Sequence, residues 1–117
     1  DTAGNRLMPA ILAFGNPLLD IIVNSDEAFV SRHGLELNNA VMAEQQHEAL
    51  FDELANCNGV SYLAGGMVQN TIRVGQWMLQ EAGSTIFVGC VGSDDYAEKM
   101  RAACASAGVR SLYKVDE

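Results

Sequence analysis

The chain has 117 residues, 49% of them hydrophobic and 19% charged, the balance of a soluble globular domain able to bury a core. Fifteen acidic side chains against seven basic ones give a net charge of -8, and a surface of that sign repels a phosphate backbone, which argues against a nucleic-acid partner. No apolar run reaches the length of a membrane span, so no membrane association is expected. Residues 1–9 open on a polar stretch without the apolar segment of a secretory leader, and read as a tail outside the fold.

Residues 10–14 form a short apolar run that reads as a buried strand, stopped by Gly15, Asn16 and Pro17, since proline has no N–H for a sheet ladder. An extended apolar pattern resumes over 20–23. Residues 27–33 are a short helical candidate closed by Gly34, and 40–43 are another short apolar run. The next helix, 44–56, places His47, Leu50, Phe51 and Leu54 on one face. A strand over 60–63 runs into the turn Ala64-Gly65-Gly66. The helix predicted over 67–81 has Val68, Thr71, Ile72, Gly75, Met78 and Leu79 as a broad apolar stripe for packing on a sheet, and Gly83 ends it. Residues 85–91 are the most continuous apolar run, as a central parallel strand covered on both faces requires. Ser93 or Asp94 can cap the following helix, which carries Tyr96, Met100, Ala103, Cys104 and Ala107 on one side and closes at Gly108. Residues 109–115 read as a final strand.

Strands that alternate with helices imply right-handed βαβ units and a mostly parallel sheet. The short extended pieces at 20–23, 40–43 and 113–117 fit this alternation poorly and could pair as a separate small sheet. The three cysteines, Cys57, Cys90 and Cys104, are widely spaced and odd in number, which favours reduced thiols over a disulfide framework or a zinc site.

Three segments could carry chemistry. Gly15-Asn16-Pro17-Leu18-Leu19-Asp20 begins at the carboxyl end of the first strand, where open α/β sheets bind ligands. A carboxylate there can accept two hydrogen bonds at once, and a ribose 2′,3′-diol offers two donors side by side. The alternative is a turn, with Asn16 and Asp20 chosen for turn chemistry. Ala64-Gly65-Gly66-Met67-Val68-Gln69-Asn70 joins a strand to a helix through two glycines, which admit close approach of a ligand and leave helix N–H groups free. It is neither a dinucleotide fingerprint nor a Walker loop, and a tight connection is the plainer alternative. Gly89-Cys90-Val91-Gly92-Ser93-Asp94-Asp95 reads mainly as a turn with a helix cap. His33 and His47 stand alone, and His47 reads as packed. Trp77 and Tyr62 could stack on a base, with core packing as the default, and the same default applies to Met67 and Met78.

Asn16-Pro17-Leu18-Leu19-Asp20, then Ala64-Gly65-Gly66 followed by Gln69-Asn70-Thr71, Arg73-Val74 and Gln76-Trp77-Met78, then Gly89-Cys90-Val91-Gly92 with Asp94, resemble the adenosine kinase branch of the ribokinase-like (PfkB) family in order and spacing. The resemblance implies an α/β, ribokinase-like fold: a mostly parallel sheet flanked by helices, with a small β-sheet lid whose strands would fall near 18–24, 39–43 and 112–117. It implies that this chain is an incomplete, N-terminal part of one kinase domain. It also implies ATP-dependent phosphorylation of adenosine to AMP in purine salvage, with Mg2+, by a cytoplasmic and also nuclear monomer. Asp20 would hold the ribose hydroxyls, assisted by Gly66 and Asn70, with Gly65 also among the substrate-binding residues. Asn16 and Leu18 would line the nucleoside site, and Met42 would sit near the base. The pattern departs at Ala40, where a glutamine near the base is usual, at Met67, where a serine is usual, and at Ala97, where a glycine is usual. The family's catalytic aspartate lies in a Gly-Ala-Gly-Asp motif that this chain does not contain. The alternatives are another sugar or nucleoside kinase of the family and a non-catalytic nucleoside-binding relative.

Overall fold

A computed structural model describes residues 9–116. The elements in chain order are β1 (Ile11–Phe14), β2 (Leu18–Ile22), α1 (Glu27–Arg32), a 3-10 turn (Gln45–His47), α2 (Glu48–Ala55), β3 (Ser61–Gly65), α3 (Met67–Leu79), β4 (Thr85–Val91), α4 (Asp95–Ser106) and β5 (Arg110–Val115). They divide into two compact units. One comprises the residues up to Asp20 together with those from Tyr62 onward, and the other is Ile21–Ser61.

In the first unit β1, β4 and β5 form a parallel sheet in the order β1-β4-β5, with Ile11 opposite Thr85 and Ile86 opposite Arg110. The central position of β4 follows from its composition: Thr85, Ile86 and Phe87 are all buried, as a strand flanked on both edges requires. Helix α3 packs on β1 and β4, and α4 packs on β5. Between them lies a core of Ala64, Ile72, Phe87, Met100, Cys104 and Val109. Asp94 caps α4 by accepting the Ala97 N–H at 2.8 Å, and Gly108, with φ of 76°, turns the chain into β5. Phe87 is fully buried. Phe87→Ala is therefore expected to destabilise the protein by about 3–5 kcal/mol through lost transfer energy and a cavity. The check is a fall in the urea midpoint at unchanged slope; a loss below about 1 kcal/mol would show that Phe87 is not central to the core.

In the second unit, Asp26 caps α1 by accepting the Phe29 N–H at 2.8 Å, with Glu27 in the first turn and Arg32 in the last, both favourable to the helix dipole. Arg32 and His33 both reach Glu53 of α2. His47 is buried, and its Nδ1 accepts the Glu44 N–H at 2.9 Å, so it closes a helix start, in keeping with a packed role.

Several expectations are corrected. The 60–63 segment does not enter the parallel sheet: β3 pairs with β2 in a two-stranded sheet. Its alternating exposure, with Ser61 and Leu63 open, suits a half-covered strand. The 112–117 segment is not a lid strand, because its residues through Val115 belong to β5 and pair with β4. Residues 40–43 form no strand. A run that short is held extended only by a neighbour's ladder, and here the Ala40 N–H is taken by the Asn39 side chain at 2.9 Å. β1 is less buried than its apolar run predicts, with Phe14 67% exposed, because it occupies a sheet edge. The buried face of α3 is also rotated from the predicted stripe. It centres on Gln69, Ile72 and Gln76, while Trp77 and Met78 are more than 70% exposed. The proposed tail at 1–9 lies outside the described residues except for Pro9.

Candidate functional site

Two connections of the first unit end side by side. In the first, the chain leaves β1, Gly15 donates its N–H to the Val88 carbonyl at 3.1 Å, Pro17 interrupts the ladder, and β2 starts at Leu18. In the second, β3 ends at Gly65, and Gly66 opens α3. Gly66 has φ of 85° and ψ of 149°, a region that residues with a side chain rarely enter. A Cβ there would also stand 3.1 Å from the Asn16 carbonyl oxygen and 3.4 Å from Leu18 Cγ. At Gly65 a Cβ would fall on the Asp20 carboxylate itself. The two glycines thus let the Asn16–Asp20 segment lie directly against the start of a helix.

Asn16, Leu18 and Asp20 are exposed, Gly65 is buried and Gly66 is partly so. An exposed aspartate, asparagine and leucine therefore stand on the segment that runs against the bare backbone of Gly65 and Gly66. No side chain caps α3 at Gly66, so its opening N–H groups are free for a ligand. Asn70 stands exposed in the first turn of α3. Its Oδ1 accepts from Arg73 at 3.3 Å, and the same guanidinium nitrogen donates to the Ala64 carbonyl at 2.9 Å. Arg73 therefore orients Asn70 and ties it to β3, a role absent from the sequence reading. The only signal for it was the i, i+3 spacing on one helical face.

Of the predicted residues, Asn16, Leu18, Asp20, Gly65 and Gly66 come together, with Asn70 one helical turn on. Met42 belongs to the other unit, where it is 86% exposed and lies on no strand. The Gly89–Asp95 stretch behaves as a turn and cap: Gly89 packs beneath the Gly15 carbonyl and Pro17, and Asp94 caps α4. Tyr62 carries the Lys99 ammonium over its ring, 4.5 Å from the centroid. A hollow of about 290 Å3 lies between the Pro17–Leu19 connection and the start of α4, and another of about 590 Å3 touches Asn70, Arg73 and Trp77. Among the described residues no group of three or more His, Cys, Asp or Glu side chains is placed to hold a metal ion.

The chain is 44% identical over 107 residues to adenosine kinase 2 of Arabidopsis thaliana, covering 92% of this chain and 31% of that protein. It is 42% identical to the adenosine kinase of Dictyostelium discoideum, with 91% and 31% covered. Among solved structures, it superposes on the Schistosoma mansoni adenosine kinase in complex with adenosine and AMP with a TM-score of 0.73 and 31% identity, over 92% of this chain and 32% of that one. The chain thus spans about a third of the length of the curated relatives it matches. A profile for the pfkB family of carbohydrate kinases matches residues 33–117. With that match over most of its length, the chain belongs to the pfkB family of carbohydrate kinases.

Proposed function

We propose that this chain is the nucleoside-binding part of a kinase that moves the γ-phosphoryl group of ATP to the 5′-hydroxyl of adenosine. A bond forms between the 5′-oxygen and the γ-phosphorus, the bond to the β,γ-bridging oxygen breaks, the hydroxyl proton leaves, and AMP and ADP result. The observation that carries this reading is the Asp20 carboxylate seated against the side-chain-free Gly65. A carboxylate fixed there and open to solvent can accept both hydroxyls of a ribose diol. The missing side chains at Gly65 and Gly66 let the segment that carries Asp20 lie close against the start of α3. Asn70, held by Arg73, is available to a further hydroxyl, and Asn16 and Leu18 line the near wall.

The work of this segment is positioning. Holding the ribose by its diol fixes the direction of the 5′-hydroxyl, and such orientation supplies much of the rate in phosphoryl transfer. The chain carries no Gly-Ala-Gly-Asp motif, so in this reading the catalytic base, and with it the ATP and Mg2+ sites, are assigned to other parts of the whole protein. The apolar side chains left open on β1 and α3, among them Phe14, Trp77 and Met78, suit a segment that packs inside a larger domain.

The test is phosphoryl transfer by the whole protein with ATP and Mg2+, offering adenosine, inosine, ribose and fructose in parallel. AMP formed with clear preference for adenosine is the expected result. Preferential phosphorylation of ribose or fructose would move the protein to the sugar kinases of the family, and binding of adenosine without transfer would make it a non-catalytic relative.

A further inference from the structure

Helix α3 buries two glutamines, Gln69 and Gln76, at 0% and 4% exposure. This residue type is mostly found at the surface, so each burial needs an account. That of Gln76 is local. Its Nε2 donates to the Glu81 carbonyl, and its Oε1 accepts from Thr85 N at 3.1 Å and Thr85 Oγ1 at 2.7 Å, which fastens the end of α3 to the start of β4.

Gln69 reaches further. Its Nε2 donates to the Gly65 carbonyl at 2.7 Å and the Leu18 carbonyl at 3.3 Å, and lies 3.4 Å from the Met100 sulfur. Carbonyls only accept, so the amide can be oriented in one way. Its Oε1 then receives the Tyr113 hydroxyl at 2.7 Å and the Cys104 thiol at 3.4 Å. Burial, reinforced by the neighbouring Cys104 and opposed by Arg101, pushes the Tyr113 phenol well above its ordinary range, so it stays an O–H donor. One side chain is thus clamped from β5 and α4 at its oxygen. With its nitrogen it binds the two backbone segments that carry the candidate site. Leu18 lies two residues before Asp20 on β2, and Gly65 is the residue beneath the Asp20 carboxylate.

We infer that Gln69 is a positioning residue for the nucleoside site: without touching substrate, it ties β2 to the Gly65-Gly66 turn and so sets where the Asp20 carboxylate stands. This rests on the kinase reading above. A merely structural role would make Gln69 equivalent to Gln76, which shares its residue type, helix and burial but lies about two turns away at the opposite end of α3.

The experiment compares Gln69→Leu, Gln76→Leu and Tyr113→Phe in the whole protein, reading Tm, kcat, and KM for adenosine and for ATP. Gln69→Leu is expected to raise the adenosine KM by about tenfold or more while the ATP KM moves less than about twofold, since small misplacements of a binding group are costly. Gln76→Leu is expected to lower Tm without moving the adenosine KM. Tyr113→Phe keeps the ring and removes the clamp on the Gln69 oxygen, and is expected to raise the adenosine KM by roughly threefold. It carries the test alone if Gln69→Leu does not fold. An adenosine KM unchanged in Gln69→Leu, or in Tyr113→Phe where that variant alone folds, overturns the inference. Unaltered protein that phosphorylates no nucleoside overturns the kinase reading itself, a result seen before any substitution is made.

Discussion

Asp20→Ala in the whole protein is expected to raise the adenosine KM by about tenfold to a hundredfold, since a hydrogen bond to a charged group contributes about 1.5–3 kcal/mol. Asp20 is exposed, so removing it leaves no buried partner stranded, and Tm should barely move. Asp20→Asn keeps the size of the side chain but offers only one oxygen, so its KM should fall between the two. The sharper measurement uses 2′-deoxyadenosine. Unaltered protein should discriminate against it, because one lobe of the carboxylate loses its donor. In Asp20→Ala that discrimination should shrink toward unity, since the group that counted the hydroxyls is gone. An unchanged adenosine KM, or discrimination that survives intact, would remove Asp20 from the ribose site.

The position of the Asn16–Asp20 segment just past a strand end was legible in the sequence because the features that set it are local. A strand stopped by Gly15 and Pro17 puts the next polar residues at a strand end, and ligands gather at such ends. The Gly65-Gly66 pair was legible for a similar reason, since two glycines between a strand and a helix announce a close approach. Pairing partners were not. That β3 lies beside β2, and β5 beside β4, depends on contacts between segments about forty and twenty residues apart, and short apolar runs carry little information about which neighbour they will meet. Periodicity located the helix at α3 but misjudged its face, because it counts a glutamine as polar wherever it falls. Gln69 and Gln76 are buried because backbone carbonyls, hydroxyls and a backbone N–H on other elements satisfy their amides, and none of those partners can be read from the helix alone. The orienting role of Arg73 could not be read for the same reason: it depends on the Ala64 carbonyl lying within its reach.

Gly65→Ala should be nearly as damaging to nucleoside binding as loss of Asp20, by a different route. Unlike Gly66, Gly65 does not lie in the left-handed region, so alanine costs it little in backbone conformation. The added methyl group instead meets the Asp20 carboxylate, which has to move away. A displacement on the order of 1 Å in a binding group can cost about a hundredfold, so an adenosine KM raised by roughly thirtyfold or more is expected, with the ATP KM near its original value. The double variant separates this mechanism from simple damage to the turn. With Asp20→Ala already present there is no carboxylate to collide with, so Gly65→Ala should add less than about threefold to the adenosine KM, a strongly non-additive cycle between two touching residues. If the two effects instead multiply, Gly65 acts on the nucleoside independently, through the space that its missing side chain leaves for the sugar. Gly66→Ala provides the contrast. It should strain the backbone by about 1–3 kcal/mol wherever it is measured, lowering Tm with Asp20 present or absent, because its conflict is with its own φ and with the Asn16 carbonyl.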